Sequence, residues 1–446
     1  LSIYSEQDEI ALGSNTDVQI KQQYGIYQDS SLNGYVESVG QSLSAHTHRP
    51  NLTYHFAVLD SPVVNAFAVP GGYIYVTRGI LTMMNSEAEL AVVLGHELGH
   101  VNARHSIRRM SEMMLAQIGL VIGSALNKTF ADLAGVAGIG IQLLFLKYSR
   151  DDERQADQLG VEYARKGYYN PGEMIAFFTS LEKLGDLSGG HSLPGFLSTH
   201  PLTSERIQNT KNMLLAGDNS LQTKPEAYLR HIEGTVYGED PQQGFVEGSA
   251  FYHPGMRFLF SFPEGWQVQN TPSKVVIASK DGDAGIIIQA EQSDDTPKVY
   301  GQKKADEIKG RQFVEDREST VNGLSAYQQL CDLEQENSEN IRLRLSFIKY
   351  ASHMFTFMAL STVGKFSEFD SAFGRVVDSF KSLEDKSYLD RQPKRIKLVT
   401  ADGRRTLQEI FQKAGMDKDL WPNFSIMNGL DLNQRPSKDK LVKIVK

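Results

Sequence analysis

The run His96-Glu97-Leu98-Gly99-His100 has the residue types and the spacing for metal-assisted hydrolysis. On a helix, side chains four residues apart share a face, so His96 and His100 can aim two imidazole nitrogens at one ion. Glu97 is turned about 100° from His96, which places its carboxylate on the open side of that ion. Imidazole nitrogen suits Zn²⁺, and a site with three protein ligands keeps a fourth position for water, whose pKa the metal lowers to ~7. Glu97 is then the general base. A third ligand is still needed. In Arg150-Asp151-Asp152-Glu153-Arg154-Gln155-Ala156-Asp157, the residues Glu153 and Asp157 lie four apart and face one way on a second helix. Glu153 completes a site for one zinc per chain. Asp157 accepts a hydrogen bond from the far nitrogen of a ligand histidine, most simply His96.

The elements that must hold these groups are legible around them. Leu90, Val93, Leu94, Leu98 and Val101 recur at helical spacing over 86–105, with Ser86 as N-cap and Glu89 completing a capping box. Gly99 costs such a helix about 1 kcal/mol against alanine, which implies that another backbone approaches there. On a continuous helix His105 turns away from the ligand face. The second helix, 150–166, buries Ala156, Leu159, Val161, Tyr163 and Ala164. Upstream, 52–59 and 64–69 read as strands, and Pro70-Gly71-Gly72 turns into a strand over 73–77. Gly72, Tyr73, Ile74 and Tyr75 form either an edge to which an extended substrate adds by main-chain hydrogen bonds, or an ordinary core hairpin.

His200 follows a segment rich in Gly, Ser and Pro, and Thr203 caps a helix over 204–215. A loop histidine returned to the metal either stabilises the oxyanion of the reaction or occupies the fourth metal position. Arg206 supports that site and the substrate bound there. His46, His48, His55, His231, His253 and His353 have no comparable pairing. The apolar stretches 113–126 and 133–146 are too short for spans of ~20 residues. They read as a glycine-rich helical hairpin packed over the site, with membrane contact as the alternative.

These segments, taken in order, resemble the zinc metallopeptidase family M48, which includes the CAAX prenyl endopeptidase and the mitochondrial Oma-type peptidases. The likeness rests on Val64-Asn65-Ala66-Phe67-Ala68-Val69-Pro70-Gly71-Gly72, Thr77-Arg78-Gly79 and Asn85-Ser86-Glu87-Ala88-Glu89-Leu90, which lead into the His96–His100 motif. The helix bearing Glu153 and Asp157 and the run Ser198-Thr199-His200-Pro201-Leu202 complete it. It implies a gluzincin-type endopeptidase with zinc on His96, His100 and Glu153 and with Glu97 as base. It further implies the branch exported to the bacterial periplasm or outer membrane, a leader removed, unfolded or extended protein substrates, and envelope protein quality control. The resemblance favours the substrate-edge reading of 72–75.

At 446 residues, 40% hydrophobic and 22% charged, the chain has material for two or three globular domains. Its net charge of −8 argues against a nucleic-acid partner. The single cysteine, Cys331, excludes an intrachain disulfide and reads as a buried structural thiol. The predicted class is α+β: a mainly helical peptidase domain with a small sheet over 1–216, a polar linker, an α+β domain over 226–390 and a small βααβ module over 394–446. The middle domain has strands near 256–262, 275–279, 286–290, 326–333, 342–350 and 354–360, with helices near 303–309 and 365–380. It weakly resembles PsbP-like domains and has no catalytic constellation, so docking is its default role. The last module resembles LysM, which implies peptidoglycan association, but Lys440 stands where that pattern has glycine. The rival to an enzyme is a latent, chaperone-like protein that keeps the zinc fold to hold unfolded chains.

Overall fold

The computed structural model describes residues 4–109, 147–187, 195–201, 204–335 and 339–446. The expected hairpin over 113–146 lies outside the described residues, as does Thr203. The chain is mixed α+β and divides into two compact units. The first holds the described parts of 4–239 together with 393–446. The second holds those of 240–392.

The first unit opens with helices α1 (Glu6–Tyr24) and α2 (Ser30–Ser44), followed by strands β1 (His55–Leu59), β2 (Ala66–Val69) and β3 (Tyr73–Thr77). Then come α3 (Arg78–Met83), α4 (Glu87–Asn102), α5 (Arg150–Lys166), α6 (Glu173–Leu187), α7 (Gly195–Thr199), α8 (Ser204–Met213) and α9 (Pro225–Ile232). The small sheet has the order β1-β3-β2, with β3 parallel to β1 and antiparallel to β2. This corrects the reading of 73–77 as an edge: β3 is paired on both sides, and the outer strands are β1 and β2. Order in a sheet is set by non-local pairing, which the alternation of Tyr73, Ile74 and Tyr75 does not report.

Helix α4 is buried from Glu87 to Val101 and packs along α5. Glycines make this packing possible. A β-carbon on Gly99 would fall 2.9 Å from the Ala156 carbonyl oxygen, and one on Gly160 would fall 2.9 Å from the His96 nitrogen. The two backbones therefore lie close enough to bring the ligand faces of both helices together. At the start of α4, Ser86 Oγ accepts from Glu89 N, but the Glu89 side chain does not close a capping box. It is buried beside Lys443 instead. A full capping box does start α5, where Ser149 and Asp152 exchange hydrogen bonds.

The second unit is built on a seven-stranded antiparallel sheet and a four-stranded one. In chain order its strands are β4 (Phe245–Glu247), β5 (Ala250–His253), β6 (Phe258–Ser261), β7 (Gln267–Thr271), β8 (Lys274–Ala278), β9 (Ala284–Gln292), β10 (Arg311–Val321), β11 (Leu324–Leu333), β12 (Ile341–Tyr350), β13 (His353–Thr362) and β14 (Lys381–Ser382). The large sheet runs β10-β11-β12-β13-β9-β8-β7 and the small one β14-β6-β5-β4. Helices α10 (Pro297–Asp306) and α11 (Val363–Asp378) pack on the large sheet. Strand β10 was not foreseen. Seven of its eleven residues are exposed in one run, so it has no apolar alternation to signal a strand.

The chain remains in the first unit to Glu239, past the linker expected at 216–225, because α9 buries Tyr228 and Ile232 in its core. After the second unit it returns as β15 (Ile396–Thr400), α12 (Leu407–Ala414), α13 (Trp421–Asn428) and β16 (Leu441–Val445), with β15 antiparallel to β16. This βααβ segment shares the first unit. Lys443 Nζ reaches the carbonyl oxygens of Thr82 at 2.9 Å and Met84 at 2.7 Å, at the end of α3.

Candidate metal centre and its surroundings

Four side chains, two from α4, one from α5 and one from the loop after α7, converge at one point. His96, His100, Glu153 and His200 each offer one ligand atom, all within 4.8 Å of one another, and all four residues are buried. His96 Nε2 lies 3.0 Å from His100 Nε2 and 3.3 Å from His200 Nδ1. Glu153 Oε1 is 2.9 Å from His200 Nδ1 and 3.4 Å from His100 Nε2. Nitrogen and oxygen donors ~2.0–2.1 Å from one tetrahedral zinc would lie about 3.3 Å apart, so these separations suit the ion.

Backbone contacts deliver His200. Phe196 N donates to the Val64 carbonyl oxygen at 2.8 Å, and His200 N donates to Phe196 O at 2.8 Å. The ring then stacks on Phe196, with centroids 4.6 Å apart, and faces Tyr148 at 5.0 Å. Tyr148 also lies over His100, at 3.9 Å. Composition and spacing gave no signal for Tyr148.

Glu97 is fully buried, with no hydrogen-bond partner for either carboxylate oxygen. His200 Nε2 is also unpaired, 3.7 Å from Glu97 Oε1. Buried polar atoms are normally paired, so these open atoms are what a site awaiting ligands should contain. Burial raises the Glu97 pKa, with His200 and His96 opposing the rise. Glu153 behaves differently. Burial pushes it up too, but His200 and the Arg206 guanidinium outweigh that and hold its carboxyl well below the usual range. Burial drives His100 well below the ordinary histidine value, leaving a neutral ring. The neutral imidazole of His100 and the ionised carboxylate of Glu153 are forms that ligate zinc. At His96, by contrast, burial is outweighed by the Asp157 and Glu153 carboxylates, which raise the pKa.

Beyond the cluster, Asp157 Oδ1 lies 2.9 Å from His96 Nδ1. Arg206 donates to both Asp157 oxygens at 2.7 Å and lies 2.6 Å from Glu153 Oε2. Arg206 is 5% exposed, so it is a buried counter-charge rather than a substrate contact. Gly72, Tyr73, Ile74 and Tyr75 do not form a free substrate edge, since β3 is paired on both sides. Tyr73 stacks on His55 at 4.4 Å and Tyr75 donates to Asp17 Oδ1 at 2.6 Å, tying β3 to its sheet neighbour and to α1.

The position of His105 is corrected as well. Its Nδ1 lies 2.8 Å from His100 Nδ1, and its Nε2 lies 3.1 Å from Gln155 Oε1. The helix does not continue through it: α4 ends at Asn102, and Arg104 takes φ 55°.

Comparison with known proteins locates the relationship. Residues 30–214 match Peptidase family M48. The chain is 31% identical over 218 residues to the beta-barrel assembly-enhancing protease of Yersinia pestis, covering 47% of this chain and 44% of that protein. It is 28% identical over 221 residues to the protein of that name from Escherichia coli strain K12, covering 47% and 45%. It is 31% identical over 232 residues to the mitochondrial metalloendopeptidase OMA1 of Arabidopsis thaliana, covering 52% and 44%. The chain thus spans less than half the length of each of these relatives.

Proposed function

We propose that this protein, whose residues 30–214 match Peptidase family M48, is a zinc-dependent endopeptidase acting on unfolded or extended protein chains. The carrying observation is the convergence of His96, His100, Glu153 and His200 beside a Glu97 whose carboxylate is buried and unpaired. His96, His100 and Glu153 would hold one zinc, which when bound would supply Lewis acidity toward a peptide carbonyl and acidify water. Glu97, lifted by burial, accepts the proton of the attacking water and returns it to the departing amide nitrogen. Asp157 fixes the His96 ring, and Arg206 balances the charge of Asp157 and Glu153. His200 would offer a fourth donor to the ion, and its ring would have to move aside for water and substrate to reach it.

The names of the relatives support a role in envelope protein quality control, and the periplasm is the compartment that goes with it. Among the described residues no helix is long and apolar enough to cross a membrane. We read 394–446 as a LysM-like module turned to structural use, since Lys443 is spent inside the first unit, and the second unit as a docking domain.

The test is proteolysis of unfolded casein by the full chain, with and without chelator, alongside Glu97→Gln. The variant should keep stoichiometric zinc and lose about 10²–10⁴-fold in rate. Zinc-loaded Glu97→Gln cleaving at the wild-type rate would remove Glu97 from the mechanism. Wild-type protein that binds casein and zinc without cleavage would leave the chaperone-like alternative standing.

A further inference from the structure

We infer that His105, with Gln155 and Asp152 behind it, locks His100 into the one tautomer that can bind a metal through Nε2. The inference rests on reading His100 as a zinc ligand.

The geometry begins with the break in α4. On a continuous helix a residue five positions on is turned about 140° away. Here Ala103 ends the helix and Arg104 adopts φ 55°, a left-handed conformation that residues with a β-carbon rarely take. The reversal swings His105 back until its ring meets that of His100, with centroids 4.9 Å apart. The strained residue is held in place. Arg104 Nε donates to Glu9 Oε2 at 3.0 Å and its Nη2 to the Tyr4 carbonyl at 2.8 Å. Glu9 is 1% exposed and also takes Arg49 at 3.0 Å, so α1 braces the turn.

Hydrogen-bond logic then fixes the direction. Two Nδ1 atoms 2.8 Å apart share one hydrogen. If His100 carries it, its Nε2 has a free lone pair, and His105 accepts at Nδ1 and bears its own hydrogen on Nε2. That Nε2 lies 3.1 Å from Gln155 Oε1 and 3.5 Å from Asp152 Oδ1, where a donor is required. In the opposite arrangement His105 Nε2 would turn a lone pair toward the Asp152 carboxylate, and His100 would carry hydrogen where the metal must sit. Asp152 is fixed by the Ser149 capping box and by Arg108, so the acceptor cannot simply rotate away. His105 is 0% exposed, which excludes water as a substitute partner. The two ligand histidines thus have unlike supports: His96 leans on the Asp157 carboxylate, and His100 on a neutral imidazole relay.

The measurement is zinc affinity of the 446-residue chain by competition with a chromogenic chelator, which needs no turnover. His105→Phe fills the space without a nitrogen and should bind zinc about 10–100-fold more weakly, the usual scale for such partners. His105→Gln can accept from His100 and donate toward Gln155, so it should recover most of that loss. Thermal melts of the metal-free variants check folding, and Gln155→Leu gives a second route should His105→Phe not fold. Wild-type zinc affinity in a folded His105→Phe, or a His105→Gln no better than His105→Phe, would overturn the relay. His100→Ala separates this outcome from failure of the ligand reading. If it retains zinc, His100 is not a ligand. If it loses zinc while His105→Phe does not, only the relay falls.

Discussion

The two units differ most in what they bury. The first, among its described residues, encloses fifteen acidic, basic and histidine side chains, among them Glu9, Arg78, Glu89, Glu97, Glu153, Asp157, Arg206 and Lys443. The second, among its described residues, buries Ser279, Gln328, Gln329, Ser346 and Ser361 as its polar members, and none of these carries charge. Its interior is aromatic and aliphatic, with Phe251, Phe260, Phe347, Phe355 and Phe357 each at most 1% exposed. Taking an ion out of water costs several kcal/mol unless pairing offsets it. A fold that only needs to hold together fills its core with apolar groups, as the second unit does. The first unit accepts charge where charge is required for chemistry, then places counter-charges around it.

The largest effect should come from removing one such counter-charge. Arg206→Met leaves Asp157 and Glu153 buried without their cation, and breaking a buried pair from one side costs about 3–5 kcal/mol. In the second unit, Arg344 pairs with Asp370 at 2.6 Å, but these side chains are 19% and 39% exposed. Arg344→Met should cost under about 1 kcal/mol. Urea denaturation of both metal-free variants compares them directly. Equal losses would show that the two interiors tolerate charge alike and erase the distinction.

A smaller effect belongs to Lys443. Burial pushes its ammonium down and the Glu89 carboxyl up, and each charge favours the other. Lys443→Met would strip the Thr82 and Met84 carbonyls of a donor and leave Glu89 without a nearby cation. A loss of about 1–3 kcal/mol in urea unfolding of the first unit, with zinc content unchanged, is expected. No loss would mean that 393–446 merely rests on the first unit.

These contrasts also explain what the sequence could and could not tell. The spacing of His96 with His100 and of Glu153 with Asp157 survives into three dimensions because each pair belongs to one helix, whose geometry is local. Gly99 was readable for the same reason, since a glycine inside a regular helix requires a cause, and α5 supplies it. Most strands of the second unit were visible as apolar runs: 342–350 became Ile341–Tyr350, and 354–360 became His353–Thr362. Most of what failed was non-local. Glu89 looked like a capping-box partner, yet its partner Lys443 is on the last strand. Tyr73 to Tyr75 looked like an edge until β1 and β2 closed on both sides. His105 was misplaced by a single left-handed residue, Arg104, which no helical periodicity announces.

The finest test of the comparison concerns His253, a histidine of the second unit whose titration is strongly displaced. It is half-buried, and its Nδ1 accepts a hydrogen bond from Met256 N at 3.1 Å, a role only the neutral ring can fill. Burial pushes its pKa down to about 4. The unfolded chain, with histidine near 6.5, takes up the proton more readily than the folded one between those two values. Stability conferred by the neutral ring is therefore present above pH 6.5 and lost as pH falls toward 4. At pH 5, partial exposure limits the loss to about 1–2 kcal/mol. Trp266 reports on this unit, and a Trp421→Phe background silences the other of the chain's two tryptophans. Urea unfolding followed by that fluorescence should show the second unit weakening from pH 7 to pH 5. His253→Asn can still accept from Met256 N but cannot titrate, so it should flatten the dependence. An unchanged slope in that variant would mean that the second unit hides another acid-sensitive group, and its interior would no longer differ in kind from that of the first.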